Sequence, residues 1–276
     1  MTRVKILDGR PVASRLLADV SRRAIKLHGR GVTPTLAVVL VGHDSASNVY
    51  VGAKQKIARQ VGIDFLLYWL HSVRQEELEQ LLITLHLDPS VHGVIIQLPI
   101  PQGLSLSKAL KFLDKTKDVD ALTPDSDYKS PTASAVVALL QSYNIDYHRE
   151  KVAVIGRGVL VGQPLERIFV ERKAEVNIYD DATKNIAAKV ARAKIVISAT
   201  GKPGLIDENF LSAGQVVIDV GCARDPKTNA VVGDVDRAAA RKVVSAITPR
   251  LGGVGPVTVA LLMKNVILAA EKQNNS

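Results

Sequence analysis

The chain has 276 residues, room for two modest domains or one large one. Its hydrophobic fraction of 47% suffices for a buried core, and with aromatics at only 4% that core must be filled by Val, Ile, Leu and Ala, as in a parallel sheet covered by helices. The net charge of +9 is scattered among acidic residues with no aromatic-interleaved basic stripe, which argues against nucleic acid and for a solvated surface that attracts anionic small molecules.

The single cysteine, Cys222, excludes an internal disulfide and suits a reducing compartment. The N-terminal stretch MTRVKILDGR lacks the apolar run of a signal peptide. No apolar segment is read as approaching the roughly 20 residues that span a bilayer. The expectation is a cytoplasmic protein with no membrane partner.

Residues 8–29 carry apolar positions at helical spacing, from Asp8 as N-cap to Gly29. Leu36 to Val41 reads as a buried strand. Ser45 or Ser47 caps a helix to about Val61, Phe65 to Leu70 is a second strand, Glu76 to Leu87 a helix, and Val94 to Leu98 a third strand. This alternation predicts right-handed crossovers and a parallel sheet. Residues 121–130 lose periodicity, and a helix from Pro131 to Tyr143 bridges to a second series. That series has strands at 152–155, 175–179, 195–198 and 216–220, a helix at 161–170, and a last helix over 256–271. The predicted fold class is α/β in two lobes: an N-terminal α/β domain, 1–130, with helix 256–272 folding back onto it, and a Rossmann-type dinucleotide-binding domain, 131–255.

The turn VAVIGRGVLVGQP sets Gly156, Gly158 and Gly162 between an apolar strand and a helix, the context of a dinucleotide phosphate site. Without that context it reads as a tight strand-to-helix turn. Arg157 within it suits a ribose 2′-phosphate, hence NADP. Asp180 and Asp181 end the next strand, where an acid accepts from a ribose 2′-hydroxyl, hence NAD. The two signals conflict.

Three pieces of the first lobe stand out. SNVYVGAKQK sets Tyr50 and Lys54 at i, i+4 on one helical face, and a lysine in a cleft beside a ring is a usable proton carrier. GVIIQLPIPQG ends a strand in Gln97, and DKTKDVDALTP carries Asp118 and Asp120. Taken singly they read as a surface lysine, a satisfied amide and a turn with capping carboxylates. No His, Cys and acid cluster has metal-ligand spacing.

Together, in this order, and with ISATGKPGLI, VVIDVG and TPRLGGVGPVTVALL, these stretches resemble the bifunctional methylenetetrahydrofolate dehydrogenase/methenyltetrahydrofolate cyclohydrolase family over nearly the whole chain. The resemblance implies NADP-linked oxidation of methylenetetrahydrofolate, with NAD as the alternative cofactor, and hydrolysis of the methenyl product to formyltetrahydrofolate. It implies a homodimer, a folate substrate and no metal. Lys54 matches the catalytic lysine, Tyr50 the ring that stacks on the folate, Gln97 the partner that tunes the lysine, and Asp120 the carboxylate on the pterin. Gly156, Arg157, Gly158 and Gly162 match the cofactor phosphate turn. Thr200, Gly201, Lys202 and Pro203 would lie along the cofactor. Gly252, Gly253, Gly255, Pro256 and Thr258 would form the closing loop near nicotinamide and folate.

The chain departs from that pattern near the substrate. The family's longer loop is cut to PDSDYKSPTASAVV, its Gly after Asp120 is Ala121, and its closing-loop Pro is Leu251. These changes bear on substrate affinity and the balance of the two activities more than on the fold. The alternative is a divergent paralogue, non-catalytic or cyclohydrolase-only, that binds dinucleotide or folate.

Overall fold

A computed structural model describes residues 4–43, 45–224 and 230–274, apart from the side chains of 45, 46 and 224. The capping role expected of Ser45 falls outside the described side chains; Ser47 is buried inside the helix. In chain order the main elements are β1 (Lys5–Ile6), α1 (Arg10–His28), β2 (Thr35–Val41), α2 (Ser45–Gln60), β3 (Asp64–Leu70), α3 (Gln75–Leu87), β4 (Gly93–Ile96), α4 (Leu106–Ala109) and α5 (Pro131–Ser142). They continue as β5 (Lys151–Ile155), α6 (Gly162–Glu171), β6 (Glu175–Tyr179), α7 (Ile186–Val190), β7 (Ile195–Ser198), β8 (Val216–Asp219), β9 (Ala223–Arg224), β10 (Val231–Val232), α8 (Arg237–Ala240), β11 (Ala246–Ile247) and α9 (Val254–Gln273). The chain divides into two compact units, Ser14–Pro131 with Val259–Ser276, and Met1–Ala13 with Thr132–Thr258.

The first of these holds a parallel sheet in the order β3-β2-β4. Its central strand β2 is buried at every position, which is why TLAVVLV is a continuous apolar run rather than an alternating one. Val38, Leu40 and Ile95 pack with Met263, Val266 and Ile267 of α9. That helix corrects one expectation: its 20 residues, at a mean hydropathy of 1.5, are long and apolar enough to cross a bilayer. Lys264 and Asn265 interrupt the run and hide it in the sequence. Over half of the span is buried inside the fold. Asn265 is satisfied there, its amide donating to the carbonyls of Val119 (2.8 Å) and Lys129 (3.1 Å), so the helix serves as a core element.

The other unit is built on a six-stranded sheet, order β1-β11-β8-β7-β5-β6, with every pairing parallel. The segment up to Ala13 clusters with this unit, whereas the sequence pattern sets it with the first lobe. Lys5 and Ile6 pair with Ala246 and Ile247, and the Tyr143 hydroxyl both accepts from the Asp8 amide (2.8 Å) and donates to its carbonyl (3.0 Å). A two-residue strand carries no periodicity, so the sequence could not announce it. β5 and β7 are neighbours, while β6 flanks β5 on the opposite side. The chain therefore reverses direction across the sheet between β5 and β7, and the crevice at their carboxyl ends is where an open α/β sheet binds its ligand.

Candidate functional site

In the first unit, α2 carries Tyr50 and Lys54 one turn apart, and Gln97 directly follows β4. The Gln97 amide N–H donates to the Val39 carbonyl (2.8 Å), extending the ladder by one residue and fixing where its side chain starts. The Lys54 ammonium donates to Gln97 Oε1 at 2.9 Å, while Gln97 Nε2 donates to the Leu98 carbonyl at 2.8 Å. The second bond sets the amide orientation, because only Nε2 can serve a carbonyl. Burial pushes the Lys54 pKa down, opposed by the nearby Asp120 carboxylate. Burial pushes Asp120 up, opposed by Lys54 and reinforced by Asp118. Lys54, Gln97 and Asp120 are thus one electrostatic unit, with Tyr50 one helical turn away.

Asp118 has a different task. It is fully buried, and its carboxylate accepts from the amides of Leu122 (3.0 Å) and Thr123 (2.8 Å) and from the Thr123 hydroxyl (2.7 Å). It shapes the turn that follows Asp120. In that turn Ala121 sits at φ 54°, a left-handed conformation that disfavours a Cβ. The shortened segment is tied down by Tyr128, whose hydroxyl donates to the Thr116 carbonyl (2.7 Å) and whose pKa burial pushes up to about 12.

In the second unit, a cavity of about 390 Å³ opens at the carboxyl ends of β5 and β7. Gly156, Arg157, Gly158, Asp180, Thr200 and Lys202 all line it. The glycines divide by role. A Cβ on Gly156 would stand 2.4 Å from the Ala199 carbonyl oxygen, and one on Gly162 would stand 2.1 Å from the Gly156 oxygen, so both are required by packing. A Cβ on Gly158 would meet only open space, so that position faces room for a ligand. The turn leads into α6, where the Gln163 and Leu165 amides already donate to the Gly158 and Val161 carbonyls and Pro164 has no N–H, so an anion at this end would rely on the Gly162 amide and the helix dipole. These residues fit a dinucleotide. Gly162, Gly201 and Pro203 support the walls without lining the cavity. Gly255, Pro256 and Thr258 lie in the first turns of α9, where the Thr258 hydroxyl donates to the Val254 carbonyl.

Asp180 accepts from the Ala182 amide and the Thr183 hydroxyl, both at 3.1 Å, and among the described residues it forms no ion pair with Arg157. Asp181 instead pairs with Lys202 at 2.6 Å. Thr183, Leu205 and Phe210 also line the cavity. Nothing in the spacing pointed to the two apolar ones, because a wall-forming side chain looks like any core residue. A larger open depression of about 510 Å³ lies around Tyr147 and Arg172, but the guanidinium already donates to the phenol at 2.6 Å and no expected site residue is there. Among the described residues, no group of three or more His, Cys, Asp or Glu converges as a metal site would require.

The model of the tetrahydrofolate dehydrogenase/cyclohydrolase catalytic domain matches residues 7–120, and that of its NAD(P)-binding domain matches residues 130–274. The chain belongs to the tetrahydrofolate dehydrogenase/cyclohydrolase family. It is 39% identical to the bifunctional protein FolD of Caldicellulosiruptor saccharolyticus, over 95% of this chain and 99% of that one. Its structure is similar to the methylenetetrahydrofolate dehydrogenase-cyclohydrolase of Trypanosoma brucei, solved with NADP and an inhibitor. There the TM-score is 0.94 at 33% identity, covering 100% of both chains. The bifunctional enzyme of Campylobacter jejuni gives a TM-score of 0.92 at 32% identity, covering 98% of this chain and 99% of that one. Residues 121–129 lie between the two matched stretches, and they contain Ala121 and the first part of the shortened loop.

Proposed function

We propose that this chain oxidises methylenetetrahydrofolate to the methenyl form with NADP and hydrolyses that product to formyltetrahydrofolate. The observation that carries the reading is the hydrogen-bonded Lys54–Gln97 pair beside Asp120. Asp120 accepts N–H groups along one edge of the pterin, and Tyr50 offers a ring face to it. Bound NADP supplies the hydride acceptor. Gly156 and Gly158 let the backbone of the turn approach its pyrophosphate, and Thr200 and Lys202 flank it. In the hydrolysis, water oxygen bonds to the methenyl carbon as the neutral Lys54 amine takes a proton. One carbon–nitrogen bond of the bridge then breaks. Of the two water protons, one ends on the released nitrogen and one in solvent. Gln97 orients the amine, and burial lowers its pKa, the direction that favours the neutral form.

The deciding experiment is an assay with methylenetetrahydrofolate and each nicotinamide in turn, following reduced cofactor and methenylfolate separately. Reduced NADP followed by methenyl decay is expected. The cyclohydrolase-only reading is favoured by the shortened loop PDSDYKSPTASAVV, and methenyl decay without reduced cofactor would establish it.

The working protein is a cytoplasmic homodimer in this reading. β3 supports the dimer: it is an edge strand with an unpaired side, and Leu66, Leu67 and Trp69 on it are 37–40% exposed. Two such edges can pair about a two-fold axis. Sedimentation of the parent and of Leu67→Asp tests this, with dimer expected for the first and monomer for the second.

A further inference from the structure

Asp234 lies outside the residues assigned above, yet it is fully buried and bound on several sides. Its backbone amide donates to Asp219 Oδ1 (3.1 Å), and its carbonyl accepts from the Ile206 amide (2.9 Å). Its Oδ2 accepts from the Ser198 hydroxyl at 2.8 Å and from the Thr200 amide at 2.7 Å. Ser198 is the last residue of β7, and Thr200 lines the dinucleotide cavity. The Thr200 hydroxyl in turn accepts from the Lys202 amide (3.1 Å), so the turn that carries Lys202 hangs from the same anchor.

The other oxygen, Oδ1, has no hydrogen-bond partner among the described residues although it is buried. It is pressed against the main chain at Gly221, where a Cβ would stand 2.0 Å away. A buried oxygen left bare costs free energy, and a fold keeps such a group where something else requires it.

We propose that Asp234 is a positioning residue for the dinucleotide: it holds the 198–202 turn against the cofactor, and Gly221 exists to admit it. This rests on the NADP reading above. A turn held from behind keeps the cavity wall in place before the ligand arrives, so its loss appears in binding rather than in chemistry.

Two activities in one chain supply the control. Asp234→Ala should raise the calorimetric Kd and the KM for NADP by about tenfold or more, with kcat of the dehydrogenase changed less than about threefold. Cyclohydrolase turnover of methenylfolate should stay at the parental value, because Lys54, Gln97 and Asp120 belong to the other unit. Gly221→Ala should reproduce this pattern by displacing the carboxylate, and Ser198→Ala should reproduce it more mildly. NADP affinity within twofold of the parent in folded Asp234→Ala and Gly221→Ala overturns the proposal. So does a parallel fall of both activities, which marks a purely structural role. Should Asp234→Ala and Gly221→Ala fail to fold, Ser198→Ala decides alone, and an unchanged Kd there overturns it. A parent that binds no NADP would instead sink the cofactor reading.

Discussion

Lys54 donates to Gln97 Oε1 at 2.9 Å, and the same amide is locked in orientation by its second bond to the Leu98 carbonyl. The lysine is therefore held by a neutral acceptor, while the one carboxylate that acts on it, Asp120, opposes only part of the effect of burial. Because the folded state holds this proton less tightly than the unfolded chain does, the charged lysine lowers stability. That cost is full below the folded pKa and shrinks as pH rises through it towards the unfolded value. Lys54→Met removes the cost along with the amine. It is expected to abolish hydrolysis of methenylfolate without lowering Tm. Parental turnover in the variant would remove Lys54 from the mechanism, and a fall in Tm of many degrees would make it a structural residue.

Asp120→Asn separates two roles of one carboxylate. An ionised carboxylate accepts two N–H groups of a pterin edge, whereas an amide turns a donor towards one of them. Folate affinity measured by calorimetry is expected to fall by about tenfold or more, with NADP affinity unchanged. The substitution also removes the charge that supports the Lys54 ammonium, so the Lys54 pKa should drop further. The ascending limb of the cyclohydrolase kcat/KM profile should then move to lower pH. Equal folate affinity in both proteins, or a limb that stays in place, would refute the corresponding role.

Much of this arrangement was legible beforehand, and the exceptions have physical causes. Strands such as Thr35–Val41 and Ile195–Ser198 announce themselves because a parallel strand buried on both faces must be an apolar run. Tyr50, Lys54, Gln97 and Asp120 were each weak alone and were found through their order along the chain. Elements such as β1 and β11 stayed hidden because two residues stabilised by non-local pairing leave no periodic trace. Asp234 stayed hidden for a related reason: its partners Ser198 and Thr200 are more than 30 residues away, so no local spacing links them. Asp181 was visible as an acid at a strand end, but its pairing with Lys202 was not.

Ala121 offers a test of the divergent segment. It occupies φ 54° immediately after Asp120, where the related family carries glycine. A left-handed conformation costs an L-residue roughly 1–2 kcal/mol, whereas glycine forfeits roughly 0.5–1 kcal/mol of chain entropy on folding. Ala121→Gly is therefore expected to stabilise the protein by about 0.5–1 kcal/mol in urea unfolding. A destabilised variant would show that the alanine methyl contributes packing that outweighs the strain.

The choice of dinucleotide turns on Arg157 and Asp180, which the structure keeps apart. Asp180 spends its carboxylate on the Ala182 amide and the Thr183 hydroxyl, and Asp181 is neutralised by Lys202. Arg157 is exposed at the cavity and, among the described residues, makes no ion pair, so its guanidinium is available to a ribose 2′-phosphate. A charge-assisted hydrogen bond contributes roughly 1.5–3 kcal/mol, equivalent to about tenfold to a hundredfold in affinity. Arg157→Ala is thus expected to weaken NADP binding by at least about tenfold while leaving NAD within about twofold. Asp180→Ser should change either affinity little, because that side chain already serves the turn. The parent should bind NADP more tightly than NAD by a modest margin, since an exposed guanidinium meets the 2′-phosphate partly screened by solvent. Affinities for both oxidised cofactors, in parent and variants, check this. A hundredfold preference for NAD in the parent would put Asp180 in command, and Asp180→Ser should then restore NADP binding.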